Sequence, residues 1–537
     1  MAGIVSPGLR CYGGSRKHGK GGAMAATRIL TAAQMRWADQ QTIRAGTPSV
    51  ELMDRAGRAV AQAVLDLLPD AGRILIVAGP GNNGGDGFAA AYHLRERNVP
   101  VTVLGLFDLE KLSGESLEHA RRARKAGAKL REAHGAQGAA EMDRWLSRSV
   151  MGVDAIFGTG LSRPVEGWMA DAIRRLNAWE RPVLSVDIAS GLDADTGAVL
   201  GAAVRADWTL PIAASKWGHW LAEGRERSGR VLPAAAIGIG DEVMLQACRT
   251  QADGLRSATL LDEEGLEPAW PPRPRMSHKG DYGHVWIFGG SVGFSGAPML
   301  AAEGAAAAGA GLVSIVCPDE VWPVVASGSL EVMVHPQASA AWRRSEARVD
   351  AVVAGPGWGR QQAAMLEELL QTELPLVLDA DALNILAQDA ALQRLLTDRQ
   401  ALTVLTPHPG EAARLLQTDT AAVQANRKQA IKALIEAFGC WIVLKGHATL
   451  VGSPEGDVYL SPFGSPQMAV GGSGDVLSGV IGAALAGRRR HGLDPGAVIS
   501  AAVVLHGLAG EEAGWYRAGE LADRIARRRM TLERGER

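Results

Sequence analysis

Short, uniformly apolar runs alternate with amphipathic stretches along most of the chain. In the first half the runs fall at 73–77, 99–107, 153–157, 183–188 and 208–212, with helical periodicity between them, as at 51–68 and 117–126. A run that is apolar at every position reads as a strand buried on both faces, and strands alternating with helices predict a parallel sheet covered on each side. The second half starts the alternation afresh at 284–288, 312–317, 349–354, 374–378, 402–405 and 441–444, and closes on an Ala/Gly-rich helical stretch at 474–486. No fixed-period repeat relates the halves. The pattern predicts an α/β protein of two three-layer domains.

Around 267–275 the chain reads Glu-Pro-Ala-Trp-Pro-Pro-Arg-Pro-Arg, a proline density that breaks helix and strand alike. Domains are therefore expected at 28–245 and 276–530, joined by a linker at 246–275. The first 27 residues are basic and Gly-rich. They read as a disordered tail, or as sequence upstream of a start at Met24, and lack the apolar core or amphipathic helix of a targeting peptide. An apolar content of 47% with 21% charged residues suits a folded core. The net charge of −2 offers no basic field for nucleic acid, and no apolar run reaches the roughly 18 residues of a membrane helix. Cys11, Cys248, Cys317 and Cys440 follow neither metal-ligand nor disulfide spacing, which leads to the expectation of a reducing cytoplasm. Small-residue helical sequence such as 304–311 suggests close packing against a second copy, so a homo-oligomer is expected.

Parallel sheets bind ligands beyond the carboxyl ends of their strands, and the unusual sequences fall there. After the run at 73–77 comes Gly81-Asn82-Asn83-Gly84-Gly85-Asp86-Gly87. It is expected as a turn whose glycines reach positive φ and let the backbone approach an anion, ahead of a helix starting near Phe88 whose first amides favour negative charge. It is neither a dinucleotide fingerprint nor a Walker A loop. Asp154 precedes Gly158-Thr159-Gly160-Leu161-Ser162-Arg163-Pro164, and a third segment reads Asp187-Ile188-Ala189-Ser190-Gly191. A single carboxylate at a strand end is most often a helix cap. Three in one α/β unit point to a shared pocket, whose amide, carboxylate and hydroxyl oxygens suit a hard and, with so few charges, monovalent cation.

The second half has its own set. Gly289-Gly290-Ser291, Gly293 to Pro298, Gly355-Pro356-Gly357, Asp379-Ala380-Asp381, Pro407-His408-Pro409-Gly410-Glu411 and Lys445-Gly446-His447-Ala448-Thr449 follow successive apolar runs. Last comes Gly471-Gly472-Ser473-Gly474-Asp475 at a helix start. Amides there suit a phosphoryl group in transfer, with Asp475 placed as base toward a hydroxyl.

On these motifs the first half resembles the YjeF N-terminal domain, the NAD(P)H-hydrate epimerase, with a Rossmann-like three-layer fold. The resemblance implies that Asn82, Asn83, Gly84, Gly85, Asp86, Gly158, Thr159, Gly160, Leu161, Ser162, Arg163 and Pro164 hold the hydrated dinucleotide. It implies K+ on Asn83, Asp154 and Ser190, and makes Asp187 the substrate-binding and acid/base carboxylate. Ala189 departs from the proline common at its position. The second half resembles the ribokinase-like superfamily, and within it the ADP-dependent NAD(P)H-hydrate dehydratases. That resemblance puts Ala297, Gly357, His408 and Asp475 on the hydrate. It puts Lys445, Gly446, His447, Ala448, Thr449 and Gly474 on ADP, with Mg2+ at the phosphoryl group. His408 stands where sugar kinases of the superfamily often carry Asn, which favours dehydratase over kinase. The two implied activities form one repair pathway, in which an epimerase supplies the epimer that the dehydratase consumes. Two other readings are a small-alcohol kinase with a regulatory N-terminal domain, and an N-terminal half that only binds a partner.

Overall fold

The computed structural model describes residues 27–68, 72–250, 254–263, 266, 270, 272–340, 342–343 and 348–534. Met24, Cys11 and almost all of the expected basic tail lie outside them.

The first half is built on a parallel sheet, seven-stranded among the described residues, in the spatial order Lys129–Glu132, Val101–Gly105, Ile74–Ala78, Met151–Ala155, Val183–Val186, Trp208–Leu210 and Arg230–Val231. Both faces are covered, because side chains alternate across a strand. Ile74 and Ile76 join one core with the helices Ala32–Arg44, Ser49–Leu67 and Asn82–Glu96. Leu75 and Val77 join another with Gly138–Leu146 and Gly167–Asn177. The strand order reverses between Ile74–Ala78 and Met151–Ala155, so a crevice opens beyond their carboxyl ends.

The second half is built on a mixed sheet, ten-stranded among the described residues. It is parallel except for Thr449–Gly452, which runs antiparallel to Trp441–Leu444 and to Asp457–Ser461. Val285 and Ile287 face Gly296–Ala307, Ser473–His491 and Pro495–Glu511. Trp286 and Phe288 face the helices of the opposite layer, among them Ala363–Leu370 and Arg427–Phe438. Gly304 lies against the backbone of Val476, and Gly479 against that of Ala301, closely enough that a Cβ at either would overlap it. Gly304, in the small-residue stretch 304–311, thus brings two helices of the chain together.

Part of the stretch expected as a linker carries regular structure. The helix Asp241–Thr250 packs on Ala32–Arg44, and Ser257–Leu260 adds an edge strand parallel to Asp457–Ser461. Ala258 is buried there, and the proline-dense run starts only later. Arg28 bridges Thr259, and the neighbouring Ile29–Leu30 pairs with Ser215–Lys216, so the start of the first half is stitched to the edge of the second sheet. Among the described residues no helix is long and apolar enough to cross a membrane.

Candidate active sites

The crevice of the first half is a cavity of about 550 Å³. Asn82, Asn83, Asp86, Gly158, Thr159, Gly160, Leu161, Ser162, Arg163 and Asp187 line it, as expected from their places at strand ends. Gly84, Gly85 and Pro164 do not line it. The Asn-Asn-Gly-Gly segment is not a turn either: it forms the first turn of the helix Asn82–Glu96. None of Gly81, Gly84, Gly85 and Gly87 has positive φ. Their role is close approach between protein elements. A Cβ on Gly84 would collide with the carbonyl oxygen of Gly79, and one on Gly87 would sit 2.8 Å from Ala155 Cβ. The helix is thereby seated on the sheet with its first amides at the cavity.

Asp187 has φ +66, a left-handed conformation that aspartate tolerates better than most residues. Its Oδ1 accepts from the amide of Ile212 at 3.0 Å and from Nζ of Lys216. Lys216 is fully buried and also donates to the carbonyl of Ile212 at 2.7 Å. His219 holds the turn: its Nδ1 accepts from the amide of Lys216, and its Nε2 lies 2.8 Å from the carbonyl oxygen of Asp187. Asp39, Asp86, Asp187 and Lys216 all meet the cavity. Burial, more than offsetting the pull of Lys216, pushes the Asp39 carboxyl up to about 6. Burial, then the repulsion of Asp187 and Asp39, pushes Asp86 well above the carboxylate range. Two carboxyls raised by burial, Asp39 and Asp86, thus stand beside the Asp187–Lys216 pair, the kind of cluster found at functional sites. Sequence reasoning missed Lys216 and Asp39. A lone Lys in Ser-Lys-Trp-Gly-His carries no signal, and Asp39 sits in a helix far upstream of the strand ends.

Asp154 and Ser190 lie behind the cavity wall. Asp154 is fully buried. It accepts from Ser185 Oγ at 2.7 Å, Ser190 Oγ at 2.5 Å, and the amides of Ser190 and Ile156. Burial raises its carboxyl despite these donors. Asn83 differs: among the described residues both ends of its buried amide lack a partner, and it packs beside Gly158.

In the second half, Asp475 stands in the first turn of Ser473–His491, after Gly472 at φ +96. Lys445 Nζ lies 2.6 Å from Asp379 Oδ1 and 3.8 Å from Glu411 Oε2. A Cβ on Gly474 would sit 3.3 Å from that nitrogen, so the lysine amine is at the helix N-terminus. Burial, then the repulsion of Asp379, pushes the Asp475 carboxyl up to about 7 against the pull of Lys445. Burial likewise raises Glu411 to about 7. His408 caps the helix Pro409–Leu415, its Nδ1 accepting from the amide of Gly410 at 3.0 Å, while its own amide donates to Glu411 Oε2 at 2.8 Å. Gly357, at φ +57, comes so close to Ala297 that a Cβ would lie 2.9 Å from the alanine Cβ. The structure therefore brings Asp475, Gly474 and Lys445 together and joins Ala297 to Gly357. Asp379 and Glu411, which sequence reasoning quoted without a role, are the carboxylates that hold Lys445.

Each half also has known counterparts. The family model for the YjeF-related protein N-terminus matches residues 49–218, and that for NAD(P)H-hydrate dehydratase matches 285–527. The bifunctional NAD(P)H-hydrate repair enzyme of Moorella thermoacetica is 38% identical over 92% of this chain and 95% of its own. That of Escherichia coli is 35% identical over 87% and 85%. Among solved structures, the ADP/ATP-dependent NAD(P)H-hydrate dehydratase of Bacillus subtilis, co-crystallised with ATP and Mg2+, is 30% identical. It covers 50% of this chain and 97% of its own, at a TM-score of 0.44. With a relative matched over more than nine-tenths of both chains and both halves matched separately, the chain belongs to the family of bifunctional NAD(P)H-hydrate repair enzymes.

Proposed function

We infer that the first half epimerises the R and S forms of NAD(P)H hydrate at C6, and that the second dehydrates the S form to NAD(P)H with ADP, giving AMP and phosphate. The observation that carries this reading is a pair of separate carboxylate–lysine centres, Asp187 with Lys216 and, beside Asp475, Asp379 with Lys445, each at glycine-rich strand ends.

In the first reaction the C6–O bond breaks as the ring nitrogen's electron pair forms a C=N bond, and the hydroxyl leaves as water with a proton from the enzyme. Water returns to the other face and gives a proton back. Asp187 is the carboxylate that moves it, held in place by Lys216 and the amide of Ile212. In the second, Asp475 takes the C6 hydroxyl proton while the oxygen attacks the terminal phosphoryl of ADP and AMP leaves. Phosphate, a far better leaving group than hydroxide, is then expelled by the ring nitrogen's electrons, and the adjacent carbon loses a proton. A carboxyl with its pKa near 7 is suited to take that first proton at neutral pH.

A potassium ion fits Asn83, whose buried amide oxygen meets no donor among the described residues, with Asp154 and Ser190 behind it. It would fix the Gly158 loop beside the substrate. Magnesium would be held mainly by the phosphates of ADP beside Asp475, where it would neutralise phosphoryl charge. Among the described residues no three His, Cys, Asp or Glu side chains form a group able to hold a metal ion by themselves. The buried thiols of Cys248, Cys317 and Cys440 support a cytoplasmic setting.

Mixed hydrate epimers incubated with ADP and Mg2+ should return all of the reduced nicotinamide. An Asp187→Asn chain should return only the S fraction at the enzymatic rate. A stable phosphorylated product would favour the kinase reading instead.

A further inference from the structure

Arg427 opens the helix Arg427–Phe438 and is 4% exposed. Among the described residues no carboxylate pairs with it, and its Nε has no partner. Such a guanidinium is costly to bury, and burial pulls its pKa down to about 10. It is aimed at one loop. Nη2 donates to the carbonyl of Leu444 at 3.0 Å and to that of Ala448 at 3.2 Å. These two oxygens flank Lys445, Gly446 and His447. Gly446, at φ +135, lies so near Nη1 that any Cβ would overlap it. Ala448 is also left-handed, at φ +55, a conformation that costs a non-glycine residue free energy unless its surroundings enforce it.

We propose that Arg427 is a positioning residue for the nucleotide: by drawing the carbonyls of Leu444 and Ala448 inward, it holds the intervening turn with its amides outward. Among the described residues the backbone amides of Gly446, His447 and Ala448 have no protein acceptor. Successive N–H groups held this way make an anion-binding concavity. Arg427 itself does not touch the nucleotide. It acts through backbone carbonyls, and its buried charge is the reason the turn does not relax. This rests on the reading that loop 445–449 binds ADP.

The test uses the full chain and measures ADP dependence of dehydration, with epimerisation as an internal control. Arg427→Met should raise the KM for ADP about tenfold or more, as expected from two lost charge-assisted hydrogen bonds, with kcat and the KM for hydrate little changed. Arg427→Lys, which can still donate to a carbonyl, should restore part of the loss. Hydrogen exchange of the Gly446, His447 and Ala448 amides should slow when ADP and Mg2+ bind the wild type, and should not slow in Arg427→Met. An unchanged KM for ADP in folded Arg427→Met overturns the proposal, as does an equal rise in the KM for both substrates. Should that variant not fold, Arg427→Lys decides: a raised KM for ADP alone supports the role, and wild-type values for both substrates overturn it. If the wild-type amides gain no protection from ADP, it is the assignment of the loop to the nucleotide that fails.

Discussion

Asp475→Asn separates the chemistry of the second site from its stability. The Asp475 carboxyl has a pKa of about 7 in the folded chain against 3.8 when unfolded, because burial and Asp379 disfavour its charge. The folded chain therefore holds this proton to higher pH than the unfolded chain does. Stability contributed by the protonated form is complete below about pH 4, is lost as pH rises, and is gone above about 7. At roughly 1.4 kcal/mol per pH unit between those values, the ionised carboxylate costs an upper limit of about 4 kcal/mol at pH 8. Asparagine has nearly the same shape and no charge. Lys445 keeps Asp379 at 2.6 Å, so the substitution leaves no lysine without a counter-charge. With half of that limit realised and about 2–4 °C per kcal/mol for a domain of this size, the second half should melt about 5 °C higher at pH 8. The gain should disappear at pH 4. Dehydration should meanwhile fall by about 10²–10⁴, the usual contribution of a positioned base, while epimerisation is retained. Calorimetry at the two pH values and a coupled assay for reduced nicotinamide test both parts. Dehydration within tenfold of wild type would remove Asp475 from the role of base. An equal stabilisation at both pH values would show that the carboxyl is not the strained group described here.

Asp187→Asn should lower epimerisation by about 10²–10⁴ without changing dehydration of the pure S hydrate, since the second site keeps all its groups. A parallel loss of both activities would mean that the sites are not independent. Asn83→Leu fills the same space without the unpartnered amide. Potassium salts should raise the melting temperature and epimerase rate of the wild type over sodium salts, and should do neither in the variant. Gly84→Ala places a methyl group on the carbonyl of Gly79. It should destabilise the first half by about 1–3 kcal/mol or more, seen as a lower first calorimetric transition with the second unmoved.

Much of the fold was legible because a strand buried on both faces must be apolar throughout. The stretches 284–288, 312–317 and 441–444 reappear as His284–Phe288, Leu312–Cys317 and Trp441–Leu444. Edge strands escaped for the same reason. Lys129–Glu132 is largely exposed and charged, and Ser257–Leu260 sits in a segment that ends in prolines. The helix start at Asn82 was hidden because glycine has poor helix propensity, and only packing against Gly79, Met53 and Ala155 shows why those glycines belong inside a helix. His408 was picked out by its Pro-His-Pro context, yet its cap on Gly410 and its link to Glu411 appear only with the backbone in place.

Taken alone, the order of residues settled which interior segments are buried strands and which small and acidic side chains follow them, because these follow from local pattern, while several strand ends fell a few residues from where the pattern put them. The folded chain decided which groups answer one another. Lys216 reaches Asp187 from 29 positions away, Lys445 reaches Asp379 across 66, and Arg427 takes carbonyls 17 and 21 positions on. The physical reason is that a charge is perturbed by whatever lies within a few ångströms once water is excluded, and that distance is set by how helices and strands pack rather than by their spacing along the chain.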